Sequence, residues 1–174
     1  AALPLIAVSG VFHRPQAIYQ TFLGPGKEQS ELLALPTEAG MILQLNEAFA
    51  RDLVVLDAHY LAPSGGQLTR VRKRRERPDL MARLRTAVTT RHALTKAILV
   101  VDEDVDIRSP EDLLWALSTR FQPSRDLHCQ ERVPGFPLDP SQAAGYLDPD
   151  PALTDKYLLD LSAPLALRAG FRRP

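Results

Sequence analysis

The sequence predicts an α/β fold, a single three-layer-type domain in which helices flank a mostly parallel or mixed sheet. Two short apolar runs and a capped helix carry that prediction. Leu53-Val54-Val55-Leu56 and Ala97-Ile98-Leu99-Val100-Val101 are continuous and rich in β-branched residues. Runs this short and unalternating fit strands covered on both faces, as in a sheet packed between helices. After the second run come four acids in five positions, Asp102, Glu103, Asp104 and Asp106. Such a cluster brings the chain to water at the strand's C-terminal end. Ser109-Pro110-Glu111-Asp112 then starts a helix: Ser109 caps, Pro110 suits the first helical position, and the acids face the positive end of the dipole. The helix runs through Leu113, Leu114, Trp115 and Leu117 to about Thr119 and stops before Pro123.

At 174 residues the chain reads as one domain spanning 1–174. A chain of this size buries roughly 70% of its unfolded surface and needs no disulfide or metal to fold. Basic and acidic residues balance at 21 each, so bulk charge points to no nucleic-acid or membrane partner. The single cysteine, Cys129, excludes an internal disulfide and suits a reducing cytoplasm, the expected location. No apolar run approaches the roughly 18 residues of a membrane span, and no signal peptide is recognisable. The start, Ala-Ala-Leu-Pro without Met, fits processing or a piece of something longer.

In chain order, Leu5–Ser9 reads as a short strand and Pro15–Phe22 as a short helix or turn. Gly24-Pro25-Gly26-Lys27 is a loop that lacks Walker spacing. His13-Arg14 suits an anion contact or simple solvation. Pro36-Thr37-Glu38 opens a helix through about Phe49, with Met41, Ile42, Leu45 and Phe49 as its core stripe. The Leu53–Leu56 strand ends at Asp57-Ala58-His59-Tyr60. His59 is a catalytic candidate by its place near a strand end, with no partner identifiable from sequence. Gln67–Arg77 is the one basic run, either a phosphate patch or an exposed edge strand guarded by positive charge. The absence of interleaved aromatics favours the second. Asp79 caps a helix of roughly Leu80–His92. Leu127–Val133 is a strand with Leu127, Cys129, Glu131 and Val133 on one face, so His128 and Cys129 point apart and make a poor nucleophilic pair. Pro134–Pro140 is a stiff loop, and Gly145–Pro151 is irregular. The acids at 102–106 suit a hard cation or a solvated turn. Calcium-loop spacing and its glycine are missing, so no metal ligand is assigned.

The stretch VVDEDVDIRSPEDLLWALSTRFQPSRD, residues 100–126, resembles the signature of the UbiD family of decarboxylases, which use prenylated flavin mononucleotide. The residues that carry the resemblance are Asp102, Asp104, Asp106, Asp112, Trp115, Ala116, Thr119, Arg120, Pro123 and Asp126, and they belong to the family's C-terminal domain. Gly10, Phe12, His13, Arg14, Gly24 and Glu28 fit a family pattern loosely. Gly135-Phe136-Pro137-Leu138 is similar to a loop of the fungal aromatic-acid branch, which implies that Phe136 and Leu138 line a substrate pocket. Plugging the core is the alternative for both. Asp155–Pro164 resembles the closing motif: Lys156, Leu159 and Asp160 match, whereas Asp155 stands for Ser and Leu161-Ser162 for Ala-Thr.

The resemblance implies a carboxy-lyase of aromatic or α,β-unsaturated acids, including the polyprenyl-hydroxybenzoate type of ubiquinone biosynthesis. It places the prenylated FMN, a divalent metal, potassium and a Glu-Arg-Glu triad on a flavin-binding N-terminal domain that this chain lacks. No catalytic residue and no cofactor is therefore expected on this chain. The implied role is to form homo-oligomers and to close over the flavin site, with no activity alone. The alternatives are a stand-alone scaffold module that kept the fold and an unrelated small metalloenzyme built on Asp102–Asp106.

Overall fold

The structure, a computed structural model, describes residues 5–22, 24, 26–61, 66–92, 94–135, 139, 141 and 153–171. In chain order the elements are α1 (Lys27–Phe49), β1 (Leu53–Leu61), β2 (Gly66–Lys73), α2 (Leu80–Arg91), β3 (Ala97–Asp102), α3 (Pro110–Arg120), the short α4 (Pro123–Asp126), β4 (Leu127–Pro134), β5 (Leu153–Leu161) and a 3₁₀ segment (Leu165–Phe171). The strands form one five-stranded mixed sheet in the order β1-β2-β3-β5-β4. β3 runs parallel to β2 and β5, while β1 and β4 close the edges antiparallel.

The central place of β3 explains why its run does not alternate. Ile98 and Val100 enter one core with Met41, Leu45 and Phe49 of α1, Leu80, Leu84 and Val88 of α2, and Leu158 of β5. Val101 and Leu99 enter a second core on the opposite face, with Val105, Ile107, Leu161 and the α3 residues Leu113, Ala116 and Leu117. Two helices on one face and one on the other make three layers, as the sequence predicts. Ser109 caps α3 as expected, its hydroxyl accepting from the Asp112 N–H at 3.2 Å. At α2 the expected cap fails: the Asp79 side chain makes no capping bond and pairs with Arg77 at 3.2 Å.

Four expectations are corrected. Leu5–Ser9 joins no strand; residues 5–22 carry a turn at Pro15-Gln16 and no helix. Helix α1 begins at Lys27 rather than at Pro36, which lies inside it. The strong helix formers of 27–35 carry the helix through the proline, and the Thr37 hydroxyl donates to the Leu33 carbonyl at 2.8 Å. The basic run is no edge strand: β2 is second in the sheet, and its cations pair sideways. Arg70 meets Asp57 at 3.5 Å, Arg72 meets Glu103 at 2.6 Å and Lys73 meets Asp160 at 3.2 Å. In β4, Leu127, Cys129 and Glu131 do share an exposed face, but Arg132 at φ 52° breaks the register before Val133 and turns that side chain to the half-buried side.

β1 is pinned to α1. The Asn46 amide donates to the Val55 carbonyl at 2.9 Å and accepts from the Val55 N–H at 2.8 Å, next to the register shift between Val55 and Asp57. Among the described residues, no helix is long and apolar enough to cross a membrane.

Candidate functional site

The acidic turn is only partly solvated: Asp104 and Asp106 are exposed, whereas Asp102 is buried and Arg120 reaches back under the turn from the last turn of α3. The Arg120 side chain is 1% exposed. One terminal nitrogen donates to Asp102 at 3.2 Å and to Asp104 at 3.0 Å; the other donates to Asp104 at 2.6 Å and to the Phe171 carbonyl at 2.8 Å. The guanidinium also lies 4.7 Å from the centre of the Trp115 ring. Asp102 is itself buried and accepts the Ala163 N–H at 2.7 Å. Arg168 bridges Glu103 at 2.7 Å and Asp102 at 3.9 Å, tying the 3₁₀ segment to the turn. Burial pushes the Asp102 carboxyl above its ordinary pKa, against the pull of the Ala163 N–H and of Arg168, Arg120 and Lys73. Burial also acts on Asp104, but the Arg120 hydrogen bonds outweigh it and hold that carboxyl below the usual range. Asp106 accepts the Arg108 N–H at 2.9 Å and shapes the turn. The exposed Thr119 bonds its own helix at the Trp115 carbonyl.

Asp102, Asp104 and Arg120 thus form one cluster with Trp115 stacked on the guanidinium, and the three charged residues line a cavity of about 340 Å³ together with Glu103, Arg168 and Phe171. Their arrangement is a brace that locks β3, α3 and the C-terminal segment together. A cation at these acids would have to displace Arg120. Among the described residues, no group of three or more His, Cys, Asp or Glu is arranged to hold a metal ion.

Lys156 and Asp160 lie elsewhere, on the face of β5 that packs toward α2. Lys156 is buried, and burial lowers its pKa. Asp160 accepts the Ser162 N–H at 3.0 Å and the Ser162 hydroxyl, and pairs with Lys73 across the end of β3. So the Ser162 that replaces Thr in the closing motif keeps a hydroxyl on the aspartate. Lys73, Asp160 and Ser162, but not Lys156, line a second cavity of about 340 Å³, with His128, Arg125, Asp126, Leu80 and Met81 on its walls. Lys73 sat unremarked in the basic run; its pairing with a residue 87 positions away carries no local signal.

Phe136 and Leu138, the pocket candidates, lie outside the described residues. The positions on either side of them do not. Pro134 ends β4 opposite Leu153, and Asp139 meets Lys96 at 2.6 Å, just before β3 begins. Lys96 also donates to Ser141. Burial of Asp139 is outweighed by these bonds, which hold its carboxyl far below the usual range. The loop is therefore anchored at the N-terminal end of β3, whereas the acidic turn is at the C-terminal end. With six residues in β3, the two places are separated by about 20 Å at roughly 3.3 Å per residue. The sequence carries no local signal for the Lys96–Asp139 anchor, whose partners are 43 residues apart.

Of the remaining candidates, the His59 ring and the Tyr60 N–H both meet the Glu38 carboxylate at 2.9 Å. His13 is exposed and bonds the neighbouring Arg14 carbonyl at 2.9 Å. Cys129 is exposed, on the face opposite His128. For a flavin nucleotide the described residues offer no fit. A phosphate needs a free cation or a cradle of backbone N–H groups, and the buried Lys73 and Arg120 and the half-buried Arg168 of the two cavities already face carboxylates.

The family model for the 3-octaprenyl-4-hydroxybenzoate carboxy-lyase C-terminal domain matches residues 32–160. The chain is 31% identical to the gallate decarboxylase of Lactiplantibacillus plantarum over 99% of its own length and 36% of that protein. Among solved structures it resembles the apo 3,4-dihydroxybenzoic acid decarboxylase of Enterobacter cloacae, with a TM-score of 0.76 and 32% identity over 92% of this chain and 34% of that one. It also resembles the UbiD-class enzyme HmfF of Pelotomaculum thermopropionicum in complex with FMN, with a TM-score of 0.74 and 26% identity over 93% and 35%. The chain spans about a third of the length of these relatives.

Proposed function

This chain belongs to the UbiD family of carboxy-lyases, as its C-terminal domain, and from that premise we propose that it is the closing module of a non-oxidative decarboxylase of aromatic or α,β-unsaturated acids. The observation that carries the reading is the match of 32–160 to the family's C-terminal domain in a chain about a third as long as its relatives. Its partner is a flavin-binding portion, on the same polypeptide or on another, that holds prenylated FMN with a divalent metal and potassium. The chemistry of CO2 loss resides with that cofactor, and no step of it is assigned to a residue of this chain. Residues 1–174 act as one unit and have no decarboxylase activity alone.

The work of the module is closure and assembly. A hinged second domain excludes water and completes the pocket around the reacting acid. The loop between Pro134 and Asp139 is the element that reaches the substrate, with Phe136 and Leu138 on the pocket wall. What supports this is its anchoring: β4 holds one end and the Lys96–Asp139 pair the other. The Arg120 brace keeps the far side of the module rigid while the domain moves as a body. Asp102, Asp104, Asp106, Trp115, Thr119, Arg120, Lys156 and Asp160 are in this reading framework residues that shape the module and touch no substrate. The assembled enzyme is a cytoplasmic homo-oligomer.

Native purification of the tagged chain from its source, with absorbance and mass spectrometry of what comes with it, tests the reading. A longer polypeptide or a partner bearing flavin is expected. Recovery of the 174-residue chain alone, without flavin, contradicts it and leaves a scaffold module.

A further inference from the structure

The cavity that holds the Lys73–Asp160 pair lies at the carboxyl ends of parallel strands. Lys73 is the last residue of β2, and Asp160 and Ser162 sit at the end of β5. Open parallel sheets gather ligands at that end. Part of the lining is apolar: Leu80 and Met81, 2% and 5% exposed, come from the first turn of α2, and Pro78 and Pro164 add to them. Arg77, Arg125 and His128 also line it. Its volume of about 340 Å³ falls at the lower end of the roughly 300–1,000 Å³ of small-molecule sites, which suits a single ring rather than a nucleotide.

The polar groups of this cavity are unequally satisfied. Asp160 has both oxygens bonded, one by the Ser162 N–H and hydroxyl and the other by Lys73. Asp126 has both bonded as well, by Arg125 and by the Gln122 N–H. Glu76, the third acid, accepts the Leu165 N–H at 2.7 Å and lies 4.0 Å from Lys73. Donors, by contrast, are in surplus. Among the described residues Arg77 uses only its Nε, toward Asp79 at 3.2 Å, Arg125 leaves one terminal nitrogen unbonded, and His128 has no hydrogen-bond partner. Such a lining matches a ligand that brings acceptors. A phosphate dianion calls for a cation free of carboxylates. A monocarboxylate needs only N–H donors at a single charge, and it bonds guanidinium groups strongly. The Met81 sulfur suits the edge of an aromatic ring. We propose that this cavity binds a small carboxylic acid with one flat apolar ring, its carboxylate on Arg77, Arg125 and His128 and its ring against Leu80, Met81 and Pro78. The site is assigned from the cavity alone, whatever enzyme the chain serves.

Methionine-methyl NMR on the full chain, with benzoate as the probe, tests the proposal. The chain has two methionines. Met81 lines the cavity and reports the site, whereas Met41, fully buried and outside that lining, reports the fold. Benzoate shifts the Met81 signal saturably, with a Kd of about 1 mM, and leaves Met41 in place. Benzyl alcohol, which keeps the ring without the charge, binds at least tenfold more weakly, and inorganic phosphate leaves Met81 unmoved. The double substitution Arg77→Gln and Arg125→Gln weakens benzoate at least tenfold with Met41 unchanged. Should the pair disturb Met41, Arg77→Gln alone, at a half-exposed side chain, carries the test with a loss of about threefold. A Met81 signal that benzoate does not move overturns the site. Equal binding of benzyl alcohol, or variants that bind benzoate as the parent does, overturns the recognition of the carboxylate. Phosphate that moves Met81 as benzoate does overturns the role of the ring.

Discussion

Replacing Arg120 by methionine removes the nearest guanidinium from a carboxylate that has almost no contact with water. Arg120 makes two hydrogen bonds to Asp104, one to Asp102 and one to the Phe171 carbonyl, and its own side chain is 1% exposed. Breaking a buried pair by deleting one partner costs about 3–5 kcal/mol, because the other charge stays buried. Asp102 keeps the Ala163 N–H at 2.7 Å and Arg168 at 3.9 Å, which places the loss near the lower end, about 3 kcal/mol. In a domain of this size that lowers Tm by about 10 °C. Trp115 is the only tryptophan and stacks on Arg120, so its fluorescence reports the site while far-UV circular dichroism reports the fold in the same urea titration.

The sign of the pH dependence follows from the two carboxyls. The folded pKa of Asp102 is raised, so its contribution is present below the ordinary carboxylate value and declines as pH rises through the folded value. The folded pKa of Asp104 is lowered, so its contribution is present above the ordinary value and is lost as pH falls through the folded one. Without Arg120 the Asp104 contribution goes and the cost of ionising Asp102 grows. The deficit of Arg120→Met is therefore largest at neutral pH and shrinks in acid. Adding Asp102→Asn recovers about 1–2 kcal/mol, because the amide oxygen still accepts from Ala163 and the buried charge is gone. A single variant within about 1 kcal/mol of the parent, with a difference that does not vary with pH, refutes the brace.

Lys96→Ala should lower kcat/KM of the complete enzyme about tenfold, the equivalent of 1.4 kcal/mol of lost loop positioning, while shifting Tm of this chain by only a few degrees. The low pKa of Asp139 keeps its carboxylate charged throughout the neutral range, so the anchor is lost only as pH falls below the ordinary carboxylate range; pH-dependent proteolysis of the loop checks this. Phe136→Ala in the reconstituted enzyme should change the ratio of kcat/KM between aromatic acids more than it changes stability, and the reverse makes Phe136 a core residue. Asn46→Ala should cost about 1–3 kcal/mol by leaving the Val55 N–H and C=O without their partner, and hydrogen exchange at Val55 should accelerate well before global unfolding.

Features set by neighbours along the chain were the legible ones. The unalternating run 97–101 indicated a strand between two layers, and Ser109-Pro110 marked the start of α3 to the residue, because capping and φ restriction act locally. The β2 cations misled, since an edge and an interior strand with laterally paired charges look alike until Asp57, Glu103 and Asp160 are in place. Asp102 looked solvated along with its neighbours because its counter-ion, Arg120, comes from the far end of α3. Pro36 resembles a start signal, yet the flanking residues have enough helix propensity to pass through it. For the site, the family motifs identified the right stretches, yet they did not tell apart the Arg120 brace at one end of β3 from the loop anchor at the other. Nor did they reveal that Leu5–Ser9, strand-like in composition, forms no strand in this domain.

The most direct measurement is release of CO2 from 3,4-dihydroxybenzoate and related aromatic acids by the flavin-binding portion loaded with prenylated FMN, with and without this chain. The account predicts turnover only when the two are together, and none from the chain by itself. Turnover by the flavin-binding portion at the same rate in the absence of the chain, or by the chain alone, would contradict it.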